Sequence, residues 1–444
     1  MMFLHKIKKA LWGDLSSEDM KQFGMLALTF AFIIGTYWLM RPLKDGLFFK
    51  IVGRGYQPYA KIISFFFIIP VIFLYAKLVD LVEKQKLFYI LAGIYSLLFV
   101  VITFFIGHET IGLVNKVPAW NRWFGWIIYL GVESYGSLLP ALFWSFVASS
   151  TDSATAKRGF GLIIGGAQIG AIAGPAFATQ AEWVGMGFLT MTVAVCLAMV
   201  PLLVKWYITV YPAAAETRVV GEKKAKTGIF EGLRLLLSRP YLVGVFGVAV
   251  LYEVVVTIMD YQMKFLADTV YQGSDSFTSF LGYFGVATNS VALVFAIVGT
   301  GFFITRFGLL FCLVAYPVVM ALITTGIIAL PAGIMAANGV WIFFFATMAG
   351  KALSYALNNP CKEILFIPTS KDVKFKAKSW IDSFGGRFAK GPAASGVNSV
   401  CAALTNPILI GSLFSLGIIG IWLVAAVFVG RRNKELTDSH QQIS

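Results

Sequence analysis

Apolar positions along the chain gather into long runs separated by short polar stretches, at roughly 22–49, 57–79, 87–107, 124–149, 159–181, 185–209, 241–267, 277–304, 308–330, 338–366, 381–405 and 407–430. An α-helix needs about 20 such residues to cross the hydrocarbon core of a bilayer, so the pattern predicts about twelve transmembrane helices. Membrane-spanning strands would instead alternate over about ten residues. The expected fold class is therefore an all-α integral membrane protein. Composition agrees: 58% of the 444 residues are hydrophobic, 13% are charged and the mean hydropathy is +0.79, which excludes an ordinary soluble domain.

The only long polar interruption, Tyr211 to Arg239, carries Glu216, Arg218, Glu222, Lys223, Lys224 and Lys226 and divides the runs six and six. The expected organisation is an N-terminal six-helix bundle over 1–209, a cytoplasmic basic linker over 210–240, and a C-terminal six-helix bundle with a short cytoplasmic tail over 241–444. The halves echo each other at an offset of 220 residues: Lys44 falls on Lys264, Gly165-Gly166 on Gly385-Gly386, and Arg158 on Lys378. Two pseudo-symmetric bundles are what such weak repeats imply in transporters.

Lys and Arg concentrate on one side: the N-terminus (Lys6, Lys8, Lys9, Lys21), the loop with Lys77, Lys84 and Lys86, the central linker, the stretch Lys371 to Lys378, and Arg431, Arg432 and Lys434. The other side holds only Lys50, Arg54, Lys61, Lys116 and Arg122. The positive-inside rule then predicts two cytoplasmic termini in what we expect to be a bacterial inner (cell) membrane. No removable signal peptide is expected at the start. The net charge of +14 is accounted for mainly by residues that flank helices, so the partner it predicts is the lipid bilayer and not nucleic acid. Cys196, Cys312, Cys361 and Cys401 all fall inside predicted helices, with no disulfide or zinc spacing. No metal or cofactor is expected, and the chain is expected to act as a monomer.

The fifth run is rich in small residues. Gly161-x-x-x-Gly165 and Gly166-x-x-x-Gly170 predict close helix contact, and no strand precedes them as a phosphate-binding loop would require. Asp80 with Lys84 and Lys86, and Arg306-Phe307-Gly308, loosely resemble the cytoplasmic gate motif of the major facilitator superfamily; a solvated turn explains them equally well.

Charges inside apolar runs are the candidate chemistry. Arg41, Lys44, Glu133, Glu253, Asp260, Lys264, Lys351, Lys362, Glu363, Arg387 and Lys390 lie within or near the ends of such runs. Each costs about 2.5–3.5 kcal/mol on insertion scales unless it faces a partner or water, which suggests a polar cavity shared by several helices. Several cations there are tolerable if an anion visits, and phosphate oxygens suit Lys and Arg. Snorkelling to an interface is the alternative for Lys44, Lys264 and Lys390. Asp260, four residues before Lys264, shares its helix face. Lys362 is expected about mid-way along the tenth helix, after Pro360 has loosened the backbone. Tyr37, Trp38, Tyr129, Tyr135, Trp144 and Tyr355 could stack on a purine, or simply pack.

Asn359-Pro360-Cys361-Lys362-Glu363-Ile364-Leu365-Phe366-Ile367-Pro368, with the basic stretch after it, resembles the signature of the ATP/ADP translocase family, the nucleotide transporters of plastids and obligate intracellular bacteria. Arg41-Pro42-Leu43-Lys44-Asp45, Glu133-Ser134-Tyr135-Gly136-Ser137, Met259-Asp260 with Lys264, and Gly386-Arg387-Phe388-Ala389-Lys390-Gly391 resemble it in order. The resemblance implies a major-facilitator-like fold in which two lysines and two acids are required for transport, here Lys44, Glu133, Asp260 and Lys362. Two positions depart: Asp260 and Asn359 stand where that family usually has glutamate and aspartate.

The expected function is alternating-access transport of nucleotides or a closely related phosphorylated metabolite by exchange, with no catalytic residues. Substrate-binding candidates are Lys44, Glu133, Asp260, Lys362, Arg41, Lys264, Arg387, Lys390 and Tyr135. A proton-coupled importer of another charged metabolite is the alternative, with a counter-substrate or a proton as the coupled species. Against an enzyme, His5, His108 and His440 are the only histidines, and neither HExxH nor a P-loop is present.

Overall fold

A computed structural model of the chain describes residues 16–151, 153–212, 229–298, 300–370, 373, 377–378 and 380–439. Most of the proposed linker, the lysines at 223, 224 and 226, and those at 371, 374 and 376 lie outside the described residues. The chain is helical: α1 (Ser17–Ile51), α2 (Gln57–Leu81), α3 (Lys84–Phe105), α4 (Trp123–Ser150), α5 (Ser153–Ala178), α6 (Ala181–Val210), α7 (Ile229–Ser238), α8 (Pro240–Val270), α9 (Ser274–Val298), α10 (Thr300–Phe307), α11 (Leu309–Ala329), α12 (Ala332–Leu353), α13 (Asn359–Leu365), α14 (Gly386–Phe388), α15 (Ala394–Ala402) and α16 (Pro407–Asp438). Among the described residues, 11 helices are long and apolar enough to cross a membrane. The remaining predicted run, 381–405, is helical but broken: π-turns at Ile381–Gly385 and Ala389–Ala393 flank α14 and lead into α15. Its glycines and Pro392, which has no N–H to donate, make a regular α ladder unfavourable there.

The tenth run breaks too. A π-turn at Ser354–Asn358 separates α12 from α13, immediately before Pro360. Proline lacks the N–H that would close the preceding α-turn, so the register slips where the sequence places the weakness.

The described residues divide into two compact units. Unit 1 draws on 1–54, 66–222 and 271–289, and unit 2 on 55–65, 223–270 and 290–444. Within unit 1, α1 and α5 approach closely because glycines face backbone. A Cβ on Gly166, Gly170 or Gly174 would fall on the carbonyl oxygens of Ala27, Ala31 and Gly35 respectively. These positions repeat every four residues on both helices, as the small-residue stripe predicts. The contact stripe is 166-170-174, whereas Gly165 faces open space. Tyr135 of α4 clamps the same helix by donating its hydroxyl to the Ile33 carbonyl at 2.9 Å. Outside the spans, Arg122 holds its loop together through the carbonyls of Ile111, Gly112, Asn115 and Val117, and burial pulls its guanidinium below the usual pKa.

Within unit 2, α8 packs on α12 and α16, and Val250, Val254 and Ile258 of α8 meet Ala389 and Ala394 of the broken helix. Tyr241 ties this unit at one end, donating to the Leu365 carbonyl at 2.7 Å and accepting from the Asn433 amide at 2.8 Å. The Arg306-Phe307-Gly308 motif forms the turn between α10 and α11, and Gly308 has φ +82°, which favours glycine.

Candidate functional site

The intramembrane charges are grouped within each unit, with ion pairs among them. In unit 1, Lys44 sits roughly two turns before the end of α1 and is only 5% exposed. It has not snorkelled: its ammonium pairs with the Glu133 carboxylate from α4, has Asp45 at 3.9 Å and lies 4.1 Å from the centre of the Tyr129 ring. Arg41, one turn earlier on α1, stacks over Trp38 at 4.5 Å and Tyr37 at 5.8 Å, and its charge also reaches Glu133. Two cations thus face two acids, Asp45 and Glu133. The helix continues through Pro42, which removes one backbone hydrogen bond from this segment.

Unit 2 is built differently. Asp260 of α8 gives Oδ2 to Lys264 on the same helix at 2.6 Å, the i,i+4 pair expected from the sequence, and Oδ1 to Lys351 of α12 at 2.7 Å. Being one methylene shorter than glutamate does not keep Asp260 from meeting both ammonium groups. Glu253, two turns earlier on the same face of α8, pairs with Lys390 at 3.1 Å. Lys351 acts on Glu253 as well, and Lys61 acts on Asp260. Asp260 and Glu253 thus each hold a lysine from another element of the unit, Lys351 and Lys390 respectively. Lys61 was not legible as a member, since it counts by sequence among the outer-loop cations. Its place in the second turn of α2, inside an apolar run, was the available signal.

Lys362 is corrected in depth. It lies in the last turn of α13, near the end of the tenth span, Ala332–Leu365, and not mid-way along it. There its ammonium pairs with Asp382 of the first π-turn of the broken helix at 2.7 Å, and the adjacent Glu363 pairs with Lys378. Arg387 lies half-buried on α14, between the two π-turns that carry Asp382 and Lys390. The aromatics divide by access. Tyr129 and Tyr135 are wholly buried and Trp144 packs on Phe30, Phe143 and Phe160, whereas Tyr37 and Trp38 are half-buried and Tyr355 is exposed.

A family model described as TLC ATP/ADP transporter matches residues 2–432. The chain belongs to that family. It is a membrane transporter and not an enzyme. Its TLC relatives include ADP,ATP carrier protein 1 of Chlamydia muridarum, 25% identical over 485 residues that span 95% of this chain and 90% of the relative. ADP,ATP carrier protein 1 of Rickettsia prowazekii is 24% identical over 452 residues, 88% of each chain. In fold, this TLC member is similar to a bacterial homologue of the iron transporter ferroportin in an inward-facing state, with TM-score 0.67 and 12% identity over 94% of this chain and all of that one (100%). It is also similar to the nucleoside transporter NupG, with TM-score 0.57 and 13% identity over 95% of this chain and 100% of that one. The fold is thus that of the major facilitator transporters, as the paired runs of helices and the motifs predict.

Proposed function

We propose that this protein exchanges nucleotides, or a closely related phosphorylated metabolite, across a bacterial cell membrane by alternating access, with both termini in the cytoplasm. The observation that supports this reading most directly is Asp260 on α8, whose carboxylate holds two ammonium groups at once, Lys264 at 2.6 Å and Lys351 at 2.7 Å. Ammonium groups clustered in a low-dielectric setting can exchange a carboxylate for an entering anion, and phosphate groups accept several such bonds at once. Relatives named as ADP,ATP carriers point to the same class of cargo.

Lys44, Glu133, Asp260 and Lys362 are the residues we assign to transport, with Arg41, Lys264, Arg387 and Lys390 as supporting cations. In the resting network, carboxylates hold the cations in place, and substrate phosphates replace them during the cycle. This couples occupancy to conformation, since a ligand shifts an equilibrium only through different contacts in its two states. The concentration of Lys and Arg in the loops on one side supports the orientation.

The direct test is thermal unfolding of the purified protein in the presence of ATP, ADP, AMP, adenosine and sugar phosphates. Nucleotides should raise the midpoint and adenosine should not. Stabilisation by none of the nucleotides, with a lipid or a neutral metabolite stabilising instead, would overturn the reading.

A further inference from the structure

Neither the family motifs nor the repeat at 220 residues gives Lys351 a role, yet it holds a distinctive position in unit 2. Asp260 divides its carboxylate between two ammonium groups, Oδ2 with Lys264 and Oδ1 with Lys351. The two lysines differ in access. The Lys264 side chain is 8% exposed and comes from the same helix as Asp260, whereas that of Lys351 is 22% exposed and reaches across from α12. Three residues beyond Lys351 the helix enters the π-turn Ser354–Asn358, a local change of register of the kind found at functional sites.

We propose that Lys351 is a further phosphate-holding residue of this carrier, and that Asp260 is the counter-ion that keeps it in position between transport events. This inference rests on the reading of the protein as a nucleotide carrier. Charge conservation at the carboxylate supports it. When Lys351 turns to an incoming anion, Asp260 keeps Lys264 on its other oxygen, so no buried acid loses its only close cation. Lys390 stands in a different situation: its departure would take from Glu253 its close ion-pair partner, leaving the Tyr252 hydroxyl and the weaker influence of Lys351. The aspartate adds to the asymmetry. Its short side chain holds the carboxylate close to the α8 backbone and beside Lys264, so it cannot follow Lys351 toward the substrate. A long, flexible ammonium on one side and a short, anchored acid on the other form a contact that a phosphate oxygen can open and a departing phosphate lets close.

The experiment is equilibrium binding of ATP, ADP, AMP and adenosine to the full-length protein in nanodiscs, comparing the parent with Lys351→Gln and Lys351→Arg. Lys351→Gln should weaken ADP and ATP binding about ten- to a hundredfold and narrow the gap between nucleotides of different phosphate number. It should leave the weak affinity for adenosine unchanged, and Lys351→Arg should restore most of the loss. A merely structural lysine would shift all four ligands together. Should Lys351→Gln be poorly folded, Lys351→Met, which removes the charge while keeping the length of the side chain, takes its place with the same expected and the same overturning result. Unaltered ADP affinity in a folded Lys351→Gln protein would overturn the role of Lys351 while leaving the carrier reading intact. A parent protein that bound no nucleotide would overturn the carrier reading and this inference with it.

Discussion

Lys44 on α1 and Glu133 on α4 form an ion pair inside unit 1, whereas Lys264, 220 residues after Lys44, finds its acid on its own helix. The repeat therefore preserves the position of the lysine and not the origin of its partner. In unit 1 the fourth span brings the acid, and in unit 2 the corresponding stretch of α12 brings a second cation, Lys351.

The Lys44–Glu133 pair sets the first prediction. Glu133→Gln leaves Lys44 with Asp45 at 3.9 Å and the Tyr129 ring at 4.1 Å, so the loss of stability should stay at about 1–3 kcal/mol, below the roughly 3–5 kcal/mol typical when a buried ion loses its only partner. Lys44→Met should cost less, since the Glu133 side chain is 37% exposed and can be solvated once the ammonium is gone. The double change Lys44→Met with Glu133→Met should recover part of both losses. Denaturant unfolding in detergent measures all three, and simple additivity would show that the residues do not act as a pair.

Lys362 and Asp382 provide the second. If a phosphate competes with Asp382 for the ammonium, Asp382→Asn should tighten nucleotide binding severalfold, whereas Lys362→Gln should weaken it about ten- to a hundredfold, the value of a charge-assisted bond. Calorimetric titration with ADP reads both changes. Opposite signs for the two variants are the expected result; identical behaviour would make the pair a helix-end clasp only.

The α1–α5 contact gives a clean packing test. Gly174→Ala would drive a methyl into the Gly35 carbonyl, whereas the same change at Gly165 meets nothing within 4 Å. Overpacking of this kind costs about 1–3 kcal/mol, so Gly174→Ala should lower the unfolding midpoint and Gly165→Ala should leave it near that of the parent. Equal effects would mean that α1 and α5 do not meet on this stripe.

Coupling can be read from uptake into vesicles. For an exchanger, preloading with unlabelled nucleotide should accelerate entry of labelled nucleotide, and an uncoupler should leave the rate unchanged. Collapse of uptake on uncoupling, with a pH optimum, would instead assign proton symport, with Glu133 or Asp260 as the carrier of the proton.

The sequence by itself determined the membrane-spanning elements, the residues at which charge enters them and the family motifs, because run length and residue type are local properties that need no partner. It also located the weak points, since Pro360 and the Gly385-Gly386 and Gly391-Pro392 steps lie where π-turns form or adjoin. Only the tertiary structure decided which acid each lysine meets, because that depends on how each helix is rotated and how far it is shifted along its axis. Two helices with unchanged sequence could present Lys351 to lipid or to Asp260. The depth of Lys362 was legible, since the run 338–366 ends four residues after it; its pairing with Asp382 was not. Tyr135 shows the converse. Its motif suggests a binding residue, and the fold uses its hydroxyl to bridge α4 to α1, a contact 102 residues apart that no local pattern encodes.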